Sequence, residues 1–406
     1  MPQQQDGLAG LTVLHMAQPV DGGVARVVAD LVRAQVRAGA RVVVGCPDPG
    51  ARGRTRAPDP QMPAPDMLPE AAERAGARIV HWPAGRAPGP ALPREVAAAA
   101  RLVRAVGPDL LHLHSAKAGL AVRLAVRGRV PTVFQPHAWS FDAVGGATAA
   151  AARAWERYAA RWADRVLCVS DAECRAGRRV GLRARWAVVR NGVDLARFRP
   201  TADRDAVRAA LPALSDAGPD APLVVCVGRL CPQKGQDVLL RAWPAVTAAL
   251  PAARLVLVGD GPDHRRLLLG APPGVLLAGA ARDTVPWYQA ADVVVLPSRW
   301  EGMALAPLEA MACGRAVVAT DVSGAREGLH PVDAADCVVP VEDAAALSAA
   351  LLRLLTDRPV RTAASLRALA QARDRHDGAR AAADVAAVYR EVLALPHPAR
   401  ARRLPR

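Results

Sequence analysis

The sequence predicts an α/β protein of two domains, each a parallel sheet with helices on both faces. Three observations lead there. Strand-like and helix-like patterns alternate along nearly the whole chain, the alternation breaks once near the middle, and 406 residues are enough for two cores of ordinary size.

In the first half, apolar and β-branched runs place strands at 11–15, 41–46, 78–81, 109–114, 132–135, 166–170 and 187–190. Helical periodicity lies between most of them and is clearest at 24–38 and 148–163. The stretch 47–68, rich in Pro, Asp and Arg, reads as a long loop that carries Arg52, Arg54 and Arg56. After Asn191, Gly192, Val193 and Asp194 a less ordered passage through Pro222 reads as a linker. A second series follows, with strands at 223–227, 254–258, 275–277, 293–296, 316–320 and 337–339 and helices at 236–249, 287–290, 305–312 and 344–355. A last helical pattern covers 378–395. The domain bounds expected from this reading are 1–200, 201–377 and a terminal segment 378–406.

Apolar residues make up 51% and charged residues 22%, a globular composition. No apolar run reaches the length of a membrane-spanning helix, and MPQQQDG lacks the basic-then-apolar layout of a signal peptide, so a soluble cytoplasmic protein is expected. Seven Cys without a C-x-x-C fit reduced, buried thiols better than disulfides or zinc. The net charge of +15 is lopsided, because residues 1–200 hold 29 Arg and Lys against 16 Asp and Glu. A basic first half could attract an anionic membrane at its inner face, nucleic acid or a phosphorylated acceptor, although the plainer reading is dispersed surface Arg. No zinc-finger spacing or basic stripe interleaved with aromatics supports nucleic acid. Of the 53 basic residues only Lys117 and Lys234 are Lys, which singles both out in a chain that otherwise uses Arg.

Residues 297–324, PSRWEGMALAPLEAMACGRAVVATDVSG, carry the strongest signal. Glu301 falls on a loop after the strand 293–296, and Glu309 lies eight positions on, inside a helix. Eight helical residues rise roughly 12 Å, so the two carboxylates could bond hydroxyls on either side of a diphosphate. The helix start, with its unpaired N–H groups, suits the anion itself. Earlier, VGRLCPQKG at 227–235 ends a strand and sets Arg229 and Lys234 around a short turn, at the sheet edge where open α/β sheets bind ligands. Together they could neutralise a leaving diphosphate. The only D-x-D, Asp203 and Asp205, falls in the expected linker. No clustered carboxylates therefore suggest a metal, and neither metal nor cofactor is expected.

The pattern S-x-x-E-G-x-x-L-x-x-L-E-A-M-A-x-G-x-x-V-V-A-T, from Ser298 to Thr320, resembles the donor-site signature of retaining GT-B glycosyltransferases, specifically glycosyltransferase family 4. G-R-x-x-x-x-K-G at 228–235 resembles another element of that family. The resemblance implies the GT-B fold, two Rossmann-like domains with parallel sheets facing a central cleft. It places the acceptor on the first domain and a nucleotide-sugar donor on the second, and implies a terminal helix that crosses back to the first. It also implies that Gly302, Met303, Ala304 and Leu305 line the diphosphate, that Gly259 and Gly261 of a G-x-G-P turn line the donor cleft, and that Ala281 and Arg282 flank the nucleobase. Asp21, Gly22 and Gly23 resemble the family's glycine-rich first loop. His137, in QPHAWSF, matches the histidine beside the donor sugar. This chain departs from the commoner H-G there, with Ala138, and adds Trp139, expected on the acceptor side. His114, in HLHS, is expected to line the acceptor side as well, with His112 on the opposite sheet face.

The expected reaction is metal-independent, retaining transfer from a nucleoside-diphosphate sugar of UDP or GDP type to an acceptor hydroxyl. The acceptor would be a lipid-linked or polysaccharide carbohydrate, or a small metabolite. Arg229 and Lys234 would stabilise the diphosphate, Glu301 orient the sugar and Glu309 hold the ribose. Alternatives are a sugar-nucleotide epimerase, a phosphorylase needing pyridoxal phosphate on a Lys, or a basic nucleic-acid-binding protein.

Overall fold

The computed structural model describes residues 7–48, 68–215, 218 and 220–396, and the chain divides into two compact units. The expected loop with Arg52, Arg54 and Arg56 lies outside the described residues, as does nearly all of MPQQQDG.

In the first unit, seven strands form one parallel sheet: β1 Thr12–Ala17, β2 Arg41–Cys46, β3 Arg78–His81, β4 Leu110–His114, β5 Thr132–Gln135, β6 Arg165–Cys168 and β7 Trp186–Val188. Their order is β3-β2-β1-β4-β5-β6-β7, so the sheet reverses its direction of growth between β1 and β4. Strict alternation along the strands sends Val13, Val42 and Val44 to one face and Leu14, Val43, Leu111 and Leu113 to the other. The first face is covered by helix Gly22–Arg37, through Val28 and Val32, and by helix Gly378–Ala394, through Val385, Tyr389 and Val392. The second is covered by helices Leu92–Val106 and Ser115–Val126, together with Trp82 and Trp139.

In the second unit, β8 Leu223–Val227, β9 Arg254–Val258, β10 Val275–Gly279, β11 Val293–Leu296, β12 Ala316–Thr320 and β13 Val338–Val339 form a six-stranded sheet. The order is β10-β9-β8-β11-β12-β13, with the reversal between β8 and β11. The chain passes from the first unit to the second between Arg190 and Asn191 and returns to the first at Ala379. The expected linker contains a short helix, Arg204–Ala209, for which Asp203 is the cap: its side chain accepts from Ala206 N. The D-x-D thus starts a helix. Helix Arg358–Arg375 escaped the sequence reading because its buried stripe, Ala364, Ala368 and Ala372, is made only of small residues.

All seven cysteines are buried and free. Among the described residues no helix is long and apolar enough to cross a membrane.

Candidate active site

Both sheets put chemistry-bearing residues at the carboxyl ends of the two strands that flank the reversal, where parallel sheets leave a crevice for ligands. In the second unit β8 leads into Arg229 and a 3-10 turn, Pro232–Lys234, and β11 leads into Ser298 and Glu301. Lys234 Nζ and Glu301 Oε1 lie 2.5 Å apart, and Ser298 Oγ donates to the same oxygen at 2.8 Å. Glu301 is 9% exposed and Lys234 21%, so the pair is sheltered but reachable. The partly buried Arg229 guanidinium has no hydrogen bond or ion pair among the described residues. Its backbone carbonyl is held by Gln236 Nε2 at 3.0 Å, which fixes the loop without using the charge.

The two loops are stitched together. Arg299 N donates to Gln233 O at 2.8 Å, Gln233 Nε2 to Trp300 O at 3.0 Å, and Arg299 forks onto Asp237 at 2.9 and 2.8 Å. Asn191 Nδ2 holds Met303 O at 2.7 Å and so pins the segment that enters helix Leu305–Ala312. Among the described residues no side chain caps that helix start. Gly259 adopts φ +148, and a β-carbon there would stand 2.0 Å from Gly228 O; at Gly235, with φ +63, it would stand 2.0 Å from Pro297 O. Only glycine allows these strand ends to approach so closely.

Glu301, Met303, Ala304 and Ser323 line a common pocket. Glu309 does not reach it. It is 2% exposed, and Tyr288 Oη donates to its Oε2 at 2.7 Å. Gly302 and Leu305 are buried beside the pocket segment, Gly261 follows β9, and Ala281 and the exposed Arg282 follow β10. Lys117, in the first unit, is paired at 2.5 Å with Glu95 and donates to Ala87 O at 3.0 Å, both partners being almost wholly buried. Neither lysine is thus a bare amine.

In the first unit, Gly22 takes φ +76, and there is open space where a β-carbon of Gly22 or Gly23 would project. The end of β5 leads into His137, with φ 58, and Ala138, with φ 140, two consecutive positive values without a glycine. Surrounding bonds hold that turn. The Glu173 carboxyl accepts from Ala138 N and, at 2.7 Å, from Val169 N, while Trp139 Nε1 donates to Glu173 O at 2.8 Å. Burial pushes Glu173 up to about 8.

Three expectations change here. Trp139 does not line an acceptor site: it is 2% exposed, stacks on Phe141 and sits in the core. His114 is fully buried, behind the half-buried His137, whose Nε2 is 3.0 Å from His114 Nδ1. His112 does not face the opposite side, because residues two apart on a strand share a face; its ring centroid is 4.0 Å from that of His114.

Sequence reasoning also missed His15, within β1, whose Nδ1 is 2.9 Å from His114 Nε2. Burial draws His15 down to about 4 and His137 to about 3, and together with neighbouring imidazoles holds His112 and His114 well below the ordinary histidine range. Nitrogens of His15, His112 and His114 lie within 4.8 Å of one another, but those of His15 and His114 are already bonded to each other.

Two Rossmann-like units of parallel strands, each with its polar residues at the reversal, define a GT-B glycosyltransferase. Residues 21–197 match the family model described as Glycosyltransferase Family 4, and residues 221–357 match that described as Glycosyl transferases group 1. The lipopolysaccharide core biosynthesis mannosyltransferase LpsB of Rhizobium meliloti is 32% identical over 257 residues, 59% of this chain and 69% of that protein. A GDP-mannose-dependent monoacylated alpha-(1-6)-phosphatidylinositol monomannoside mannosyltransferase of Corynebacterium glutamicum is 38% identical over 188 residues, 43% of this chain and 48% of that protein. The chain thus spans about half to two thirds of the length of these relatives. The fold is shared with Anabaena HepE, solved with UDP and glucose, at TM-score 0.75 and 21% identity over 94% of this chain and 100% of that one. The chain belongs to glycosyltransferase family 4.

Proposed function

We propose that this enzyme moves a sugar from a nucleoside-diphosphate sugar to an acceptor hydroxyl, with retention at the anomeric carbon and without a metal. The observation that carries this reading is the Lys234–Glu301 pair at the β8/β11 reversal, with Arg229, whose guanidinium is uncommitted, in the same loop after β8. Arg229 offers a departing diphosphate an uncommitted fork and Lys234 a point charge that it shares with Glu301, the positive groups that stand where a divalent cation otherwise would. The uncapped start of helix Leu305–Ala312 adds N–H donors. Glu301, held by Lys234 and Ser298, offers its second oxygen to a sugar hydroxyl, and Glu309 is assigned to the ribose with Tyr288 fixing its orientation. The departing phosphate takes the acceptor proton on the same face of the sugar, so no protein base is required.

GDP-mannose is the first donor to test, because one relative is named for its dependence on it and another is a mannosyltransferase. The acceptor we propose is a lipid-linked or polysaccharide carbohydrate, in keeping with those names, reached from the cytoplasmic face of a membrane by the basic first half; a small metabolite is the alternative. The test is a transfer and donor-hydrolysis assay with GDP-mannose and UDP-glucose, with and without EDTA. Turnover that survives EDTA is expected. Activity abolished by EDTA and restored by Mg²⁺ overturns metal independence, and failure to bind or turn over either donor overturns the donor assignment.

A further inference from the structure

The first unit contains a file of hydrogen bonds that ends at His137. His15 Nε2 lies 2.8 Å from Gln35 Oε1, His15 Nδ1 lies 2.9 Å from His114 Nε2, and His114 Nδ1 lies 3.0 Å from His137 Nε2. On its other side the Gln35 amide donates from Nε2 to Tyr389 Oη at 3.2 Å. The file follows the β1/β4 reversal and continues to the end of β5, so its open end stands at the ligand-binding edge of the sheet.

A neutral imidazole has one donor and one acceptor nitrogen, so a row of them must all point the same way. The amide sets that direction. With Oε1 toward His15, His15 must donate from Nε2 and accept at Nδ1, His114 must donate from Nε2 and accept at Nδ1, and His137 must donate from Nε2. The remaining nitrogen, His137 Nδ1, then carries a lone pair, and it has no partner among the described residues.

We propose that Gln35, His15 and His114 are positioning residues that fix His137 in its Nε2–H tautomer, so that His137 Nδ1 accepts a hydrogen bond from a substrate hydroxyl. The site takes an O–H and disfavours a carbonyl or phosphate oxygen, which would face a lone pair. The file transmits direction but drains no proton, because its link to Tyr389 Oη runs through an amide that neither gains nor gives up a proton at ordinary pH. His137 is therefore not a general base by this route. The inference rests on the transferase reading only for the identity of the hydroxyl, which belongs to the donor sugar or to the acceptor.

The test is ¹⁵N-histidine NMR on the whole protein, with the His137 resonances assigned by their loss in His137→Asn. The expected result is a neutral ring protonated at Nε2. In Gln35→Leu the direction is no longer set, and His137 should become a mixture of tautomers. Tyr389→Phe, which removes the hydroxyl that orients the amide, should produce the same mixing in part. If Gln35→Leu does not fold, His15→Phe breaks the file at the next link and must have the same effect. A wild-type His137 protonated at Nδ1, or a tautomer that ignores these substitutions in folded protein, overturns the proposal. Calorimetric titration with GDP-mannose and with GDP then locates the hydroxyl. A loss of about five- to tenfold in Gln35→Leu for GDP-mannose alone, the worth of one hydrogen bond, places it on the donor sugar. Unchanged affinity for both ligands with an altered tautomer places it on the acceptor. The tautomer measurement needs no ligand, so wild-type protein that binds neither compound refutes the donor assignment and leaves the file standing.

Discussion

The two sheets reverse at equivalent places, and the residues there are electrostatic opposites. At the β8/β11 reversal the second unit holds Arg229, Lys234 and Glu301, charged and partly reachable by solvent. At the β1/β4 reversal the first unit holds His15, His112 and His114, buried and neutral, with His137 beyond them. Stabilising a departing diphosphate requires net positive charge in a fixed position. Selecting a hydroxyl requires only a lone pair aimed in a known direction, and uncharged groups are cheaper to bury. One topological device, the crevice at a reversal, is thus filled with charge in one unit and with direction in the other.

The largest effect expected from this division is at Glu301. Glu301→Ala removes the group that holds both Lys234 and Ser298, and transfer should fall by about 10²- to 10³-fold with the melting temperature nearly unchanged. Near-normal turnover would remove Glu301 from the site. Arg229→Ala should cost about 10²-fold, and nothing in stability, because its guanidinium has no protein partner among the described residues to lose. A double-mutant cycle sharpens the contrast. Lys234→Ala combined with Glu301→Ala should be strongly non-additive, because the two act as one pair, whereas Arg229→Ala should combine with Glu301→Ala almost additively. Equal coupling in both cycles would mean that the charges form a single network.

The strands were largely legible, because parallel strands buried on both faces read as apolar β-branched runs, and β2, β3, β5, β8, β9, β11 and β12 keep the bounds expected for them. Glu301 and Lys234 were each legible from their motif, but not their pairing: 67 residues separate them, and only the adjacency of β8 and β11 brings them together. The histidine file was present as HLH in β4 and a histidine in β1. Period-two reasoning, correctly applied, would have put His112 and His114 on one face. Gln35 and Tyr389, 354 residues apart, left no local signal. Trp139 was misread because an aromatic after a strand looks the same in sequence whether it lines a pocket or fills a core. Trp139→Phe tests that correction. It loses the bond to Glu173 O and some volume, so stability should fall by about 2 kcal/mol while the preference among acceptors stays as it was. A changed preference with unchanged stability would return Trp139 to the substrate.

The smallest effect, and the one that separates the units most cleanly, is the dependence of stability on pH. The first-unit histidines titrate lower when folded than unfolded, His15 near 4 and His137 near 3 against an ordinary 6.5. As pH falls below about 6.5 the unfolded chain binds protons that the folded chain refuses, so this stability is complete above 6.5 and is lost on the way down to about 3. Glu173 works in the opposite sense. Its folded value of about 8 lies above the ordinary 4.5, so its contribution is full below 4.5 and is lost as pH rises through 8. Between 4.5 and 6.5 the two oppose each other, and four imidazoles outweigh one carboxyl. Stability should therefore peak near pH 6.5, fall steeply on the acid side and gently on the alkaline side. Calorimetric melts from pH 4.5 to 8 read both limbs below the range in which the buried cysteines, raised by burial, add a fall of their own. Glu173→Gln should flatten the alkaline limb while the acid limb remains, because the amide oxygen can still accept from Val169 N without an ionisable proton. An alkaline limb that persists in that variant would show that another group, and not the carboxyl beneath the His137 turn, sets it.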